Sequence, residues 1–244
     1  MFTPESRLSL RDSLIAAARA DPRISGAALT GSASVGREDR WSDIDLALAV
    51  ATDRDQVLTD WTDRMYRDHG AIHHLDLSVF RVFLLPDTLQ VDIAFWPERE
   101  FGATGPKFRT LFGEAKTLPR IPPPAAESLI GWAWLYALHA RASIARNRVW
   151  QAEYMISGAR DQVLALACLR HEVPAVQGRG MDDLPAEVVA PFTNALVRTT
   201  SVAELRRAFG LVVDLLLAEV THVDQPLCDR LSAPLREMVS APRP

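Results

Sequence analysis

The chain has 244 residues, 48% of them hydrophobic and 24% charged, with a formal net charge of −4. That balance belongs to a globular protein with room for two domains of ordinary size, and it excludes a disordered chain. The acidic excess speaks against non-specific duplex binding, which needs clustered Lys and Arg, and no window approaches the ~20 apolar residues that span a bilayer.

The opening stretch MFTPESRLSLRDSL has an early acid and no apolar core of signal-peptide length, which predicts a cytoplasmic protein. The two cysteines, Cys168 and Cys228, lie far apart in apolar helical stretches and fit no metal-knuckle or redox spacing. Buried free thiols in a reducing compartment are expected.

Thr3-Pro4-Glu5-Ser6 reads as a helix start, with a capping hydroxyl, a proline in the first turn and an early acid. Leu8, Leu10, Leu14, Ile15 and Ala18 continue it at roughly helical spacing until Asp21-Pro22. Residues 26–30 read as a buried strand, 31–42 as a loop or short helix, and 44–50 (IDLALAV) as a second strand. Residues 52–69 predict a helix, with Val57, Leu58, Trp61 and Met65 on one face and Gly70 as its stop. Two strands, 78–85 and 89–96, flank a Pro86-Asp87-Thr88 turn, and 74–77 either adds a short strand or extends the first.

The character changes after Pro119. PRIPPP (119–124) refuses helix and marks a domain boundary, giving domains of 1–118 and 119–244. No convincing strand follows it. Residues 125–146, 150–171, 185–199, 202–222 and 226–239 predict helices with the periodicity of a bundle. Residues 173–184 read as a loop and the final APRP as disorder-like. The expected fold class is α+β, a small mixed sheet followed by an all-helical bundle.

Chemistry concentrates in LTGSASVGREDRWSDIDLALAV, where Gly31-Ser32 ends one strand and Asp43-Ile44-Asp45 begins the next. Residues i and i+2 of a strand share a face, so Asp43 and Asp45 present two carboxylates side by side. Carboxylates that close repel unless a cation lies between them, and an all-oxygen site suits Mg²⁺. Asp92 sits mid-strand in QVDIAF, where a lone acid needs a partner. If its strand lies beside 44–50, three carboxylates cluster and can hold two Mg²⁺ about 3.5–4 Å apart. Gly31 allows close backbone approach to a phosphate, and Ser32 offers it a hydroxyl and an amide. The bland alternative makes Asp43 a turn residue, Asp45 exposed and Asp92 the partner of an arginine.

Gly-Ser, ten intervening residues, Asp-x-Asp and a third Asp on a later strand resemble the signature of the polymerase-β-type nucleotidyltransferase superfamily. A sheet domain followed by helices is similar to aminoglycoside and lincosamide nucleotidyltransferases. The resemblance covers about the first hundred residues. It implies Mg-dependent transfer of a nucleoside monophosphate, AMP from ATP, onto a hydroxyl of a small molecule, with release of pyrophosphate. An aminoglycoside or lincosamide antibiotic is among the acceptors it allows, and hence a role in antibiotic resistance. Gly31 and Ser32 would grip the triphosphate, Asp43 and Asp45 would ligate both metals, and Asp92 would ligate the catalytic metal or help deprotonate the acceptor. Two alternatives stand beside this: an antitoxin-like enzyme acting on a protein partner, and a nucleotide-binding regulatory module without turnover. A HEPN-type ribonuclease half would carry an Arg followed a few residues later by a His. Arg170 and His171 are adjacent and His222 has no suitably placed Arg before it.

Other residues carry two readings each. Glu153 and Arg160 are two turns apart on one helix. Glu153 is a candidate acid for the acceptor or a member of an ion pair with Arg160 or Arg148, and Arg160 could reach the triphosphate. Lys107 and Arg109 either neutralise pyrophosphate or lie on a solvated basic helix face. The segment 177–185 (QGRGMDDLP) resembles one that often follows this helix in bacterial nucleotidyltransferases. Its Asp182 and Asp183 either meet a cationic substrate or, the favoured reading, cap the helix beginning at Pro185. Adjacent His73 and His74 face opposite ways on a strand and cannot share a metal. Trp132, Trp134 and Tyr136 are expected in the bundle core, and Trp96 is better placed to stack on a base.

Overall fold

The computed structural model describes residues 1–240, so the APRP segment read as disorder-like lies outside the described residues. In chain order the elements are α1 (Pro4–Ala20), β1 (Ile24–Thr30), α2 (Gly31–Ser34), β2 (Ile44–Val50), α3 (Arg54–His69), β3 (His73–Leu77), β4 (Phe80–Leu84) and β5 (Gln90–Pro97). Then come β6 (Gly102–Ala103), β7 (Phe108–Phe112), β8 (Lys116–Thr117), α4 (Ala126–Ala145), α5 (Val149–Arg170), α6 (Ala186–Asn194), α7 (Val202–Val223) and α8 (Gln225–Ser240). The fold is α+β. The chain divides into two compact units, the second beginning at Pro122 within the proline-rich stretch.

The first unit is built on a mixed sheet of order β3-β4-β5-β2-β1-β7. Within this sheet only β2 and β5 run parallel, and β1–β2, β1–β7, β3–β4 and β4–β5 are antiparallel; β6 and β8 pair parallel in a separate two-stranded sheet. Alternation along the strands gives the sheet two unlike faces. Leu29, Leu46, Leu48, Val91, Ile93 and Phe95 join the main core with Leu14 of α1 and Val57, Trp61 and Met65 of α3. The opposite face is floored by Ala28, Ala47, Ala49 and Ala94, packed with Phe101. Asp45 and Asp92 belong to this second face by strand parity.

Local chemistry sets the helix ends. Thr3 and Ser6 form a capping box on α1, and Gly70 closes α3 in the left-handed conformation. Arg23 holds Asp21 through two nitrogens, and the Trp61 indole also donates to that carboxylate at 3.3 Å.

The second unit is a helical bundle in which α5 and α7 pack together, as do α4 and α5 and α7 and α8. Its core includes Ile130, Ala159, Val163, Phe209, Val213 and Leu216. Glu219 of α7 is buried and receives two hydrogen bonds from Arg170 at 2.7 and 3.0 Å. Cys168 and Cys228 are buried free thiols. Among the described residues no helix is long and apolar enough to cross a membrane.

Several expectations are corrected. Ser78 and Val79 form a turn rather than the start of a strand, with Ser78 at φ 62°, so β3 is a separate strand. Residues 102–117 contain three strands that the sequence reading passed over, because β7 is an edge strand whose pairing with β1 is interrupted by a bulge. Lys107 and Arg109 therefore do not lie on a helix face. The helix expected at 185–199 ends at Asn194. Its N-cap is Pro185, with no side-chain capping bond, and Asp182 and Asp183 lie in a preceding 3-10 turn. Trp132 and Trp134 are 51% and 37% exposed, outside the bundle core, because α4 turns its alanines inward instead.

Arg23, above all, lowers the pKa of Asp21 from its ordinary 3.8, against the opposing effect of burial. As pH falls, the unfolded chain takes up this proton first, so the contribution is full above about pH 4 and disappears as pH drops through the folded value. Asp21→Asn should cost about 1 kcal/mol at pH 7. The difference from wild type in urea unfolding should shrink as pH drops from neutral through the lowered folded value.

Candidate metal centre

The parallel pairing of β2 with β5 sets Asp45 opposite Asp92 in register. Asp43 stands two residues ahead of Asp45, at the mouth of β2. Oxygens from the three carboxylates lie within 4.8 Å of one another, each residue partly buried. Asp43 and Asp92 both accept from the Gln90 side-chain amide, at 3.4 and 2.9 Å. Among the described residues neither has an ion pair, so an arginine partner for Asp92 is not what this strand provides. Burial raises the pKa of Asp92, the Gln90 hydrogen bond opposes this, and the charge of Asp43 raises it further.

Gly31 leaves β1 at φ 58°, and a Cβ there would overlap Asp45 Oδ2. The glycine thus serves the Asp45 carboxylate as well as any ligand. Ser32 follows in α2, where Ser34 closes the turn by donating to Gly31 O at 2.8 Å. Because β7 runs antiparallel to β1 with Phe108 opposite Thr30, Lys107 comes to the end of β1 from which Gly31 departs. Lys107 is exposed there, and Arg109 is one of the exposed edge residues further along β7.

The donor set fits a hard divalent cation. It contains only oxygen, and it concentrates negative charge. Asp43, Asp45 and Asp92 could hold such an ion.

Glu153 and Arg160 lie on α5 in the second unit, linked through Ser157, which donates to Glu153 Oε1 at 2.7 Å and accepts from Arg160 at 3.4 Å. The ion pair of Arg160 is with Asp161 at 2.7 Å, rather than with Glu153. His74 Nδ1 pairs with the Tyr66 hydroxyl at 2.9 Å, and its ring contacts Phe83. Trp96 shares the face of Asp92 and meets Phe80 edge-on at 6.0 Å. Gln90 was missed by sequence reasoning, although its parity with Asp92 on β5 was the available signal.

No family model matches the chain, and no curated protein does. Among solved structures, an aminoglycoside 6-adenyltransferase from Bacillus subtilis is similar to it, at 14% identity and a TM-score of 0.44. That likeness covers 93% of this chain and 96% of the other.

Two substitutions test the geometry. Gly31→Ala should push the Asp45 carboxylate aside, visible in a crystal structure of the variant, and cost about 1–3 kcal/mol through the left-handed backbone. Asp92→Asn should raise the unfolding temperature in EDTA by on the order of 2 °C, because it removes one of three crowded charges. A fall would mean that Asp92 has a cationic partner.

Proposed function

We propose that the chain is a metal-dependent nucleotidyltransferase that moves a nucleoside monophosphate, AMP from ATP, onto a hydroxyl of a small molecule. The observation that carries this reading is the register of Asp45 against Asp92, which gathers three carboxylates beside Gly31-Ser32. In this reading Asp43, Asp45 and Asp92 hold two Mg²⁺ ions. When bound, those ions supply charge neutralisation for the triphosphate and acidify the attacking hydroxyl. Gly31 presents bare backbone to the phosphates, Ser32 donates to them, and Lys107 offsets charge on the departing pyrophosphate.

The acceptor oxygen forms a bond to the α-phosphorus while the bond from that phosphorus to the α–β bridging oxygen breaks. Pyrophosphate leaves, and the hydroxyl proton passes to a carboxylate, for which Asp92 and Glu153 are the candidates. Catalysis then rests on positioning and charge rather than on covalent chemistry by the protein. In this reading the domain of 1–118 binds the nucleotide and that of 119–244 selects the acceptor, with Glu153 the candidate acid for the acceptor and Arg160 a candidate for the triphosphate. An aminoglycoside or lincosamide is the first class to test, in a cytoplasmic, antibiotic-resistance setting.

Mg²⁺ with a non-hydrolysable ATP analogue should raise the unfolding temperature of the wild-type chain, and Asp43→Asn with Asp45→Asn should abolish the shift. Pyrophosphate release against an aminoglycoside and lincosamide panel should fall at least about a hundredfold in that double variant. No stabilisation of wild type would refute the nucleotide reading. Stabilisation with silence across the panel would redirect the search to other hydroxyls, those of proteins included.

A further inference from the structure

The loop that delivers Asp43 to the carboxylate cluster is gripped from behind by α1. Arg7 is only 3% exposed, and its Nη1 donates to two backbone carbonyls, Asp39 O at 2.6 Å and Ser42 O at 2.9 Å. Its Nε lies 3.4 Å from Glu38 Oε1. Arg11, one turn along α1, donates to both oxygens of Glu38 at 2.9 Å. The loop is also braced internally: Asp39 Oδ1 accepts from Trp41 N and from the Ser42 hydroxyl, and Ser42 Oγ accepts from Asp39 N.

Two features separate this clamp from ordinary stabilisation. Two arginines share one carboxylate, and the Nε of each is buried without a hydrogen bond. Such an arrangement is a poor way to gain stability, since desolvating a surplus cation is expensive. It also seizes the chain at a telling place. The Ser42 carbonyl belongs to the same planar peptide unit as the Asp43 nitrogen, so fixing that oxygen fixes the direction in which the Asp43 Cα leaves.

We infer that Arg7 is a positioning residue for Asp43: its guanidinium holds the Ser42–Asp43 peptide so that the Asp43 carboxylate meets those of Asp45 and Asp92. The inference rests on the reading of Asp43 as a metal ligand. Groups that orient ligands in this way are typically worth about 10–100-fold in metal affinity.

The test is Mn²⁺ binding to the full-length chain, measured by electron paramagnetic resonance well below each variant's unfolding transition. Arg7→Met should bind Mn²⁺ at least about tenfold more weakly than wild type. Arg11→Met is the matched control. It removes a neighbouring cation whose hydrogen bonds, among the described residues, go to Glu38, and should stay within about twofold of wild type while losing comparable thermal stability. Asp39→Ala, at an exposed residue, loosens the same turn without leaving buried carbonyls unpaired, and should weaken binding about threefold or more. It decides the matter if Arg7→Met does not fold. Wild-type binding with unchanged affinity in Arg7→Met, or in Asp39→Ala where that variant decides, overturns this inference alone, as does an equal loss in Arg11→Met. A wild-type chain that takes up no Mn²⁺ overturns the metal reading and this inference together.

Discussion

Setting Asp45 directly opposite Asp92 on parallel neighbouring strands is an unfavourable pairing, and much of the first unit can be understood from it. Like charges facing one another across a ladder destabilise a sheet, and here a third carboxylate, Asp43, is added at the mouth of the same strand. The cost is tolerable because the rest of β2 and β5 is strongly apolar. Leu46, Leu48, Ile93 and Phe95 are almost completely buried, and their burial, at about 1.5–3 kcal/mol for each large side chain, outweighs the local repulsion. The sheet therefore presents concentrated negative charge at one end of an otherwise well-packed core, the arrangement expected where a cation completes the structure.

The shape of the alanine face follows from the same constraint. Ala28, Ala47, Ala49 and Ala94 leave room on that face for Phe101, Trp96 and Phe108 to pack over them, and the carboxylates stand in the same rows of β2 and β5 as Ala47 and Ala94. Gly31 extends this economy of volume to the end of β1, where any side chain would collide with Asp45. Gln90 supplies an uncharged donor that joins Asp43 and Asp92 without neutralising either. A lysine there would form an ion pair and compete with a metal ion; an amide orders the oxygens and leaves their charge available.

What the sequence made legible was what depends on short spacing. The Asp43–Asp45 pair, the helix at Val57–Met65 and the capping hydroxyl of Thr3 are local patterns with local physical causes. Asp92 was legible as an anomaly, an acid inside an apolar strand, and only the parallel pairing of β2 with β5 joins it to the other two. The strands at 102–117 stayed hidden because edge strands need neither full burial nor clean alternation. The exposed Trp132 and Trp134 were misplaced for a related reason: aromatic residues on an apolar helix look like core, yet alanines at helical spacing let α4 approach its neighbours more closely than tryptophans could. Gln90 carried no compositional signal at all, only the parity of its strand.

The loop from Gly36 to Ser42 shows why charge in a sequence is hard to interpret. GREDRWS has the composition of a solvated connection, and several of its side chains are exposed. Yet its backbone is held by a buried arginine from a helix some thirty residues earlier, at the peptide leading into Asp43. A loop with free carbonyls at that point would let the first carboxylate wander, and a site of three oxygen ligands loses affinity quickly when one of them is not pre-positioned. Arg7 and Gly31 thus act at opposite ends of one problem. The glycine clears the volume that Asp45 occupies, while the arginine fixes the path by which Asp43 arrives. Arg7 is invisible to a search for ligands because it is not one, Gly31 is legible only as room for a phosphate, and the geometry of the carboxylate cluster depends on each.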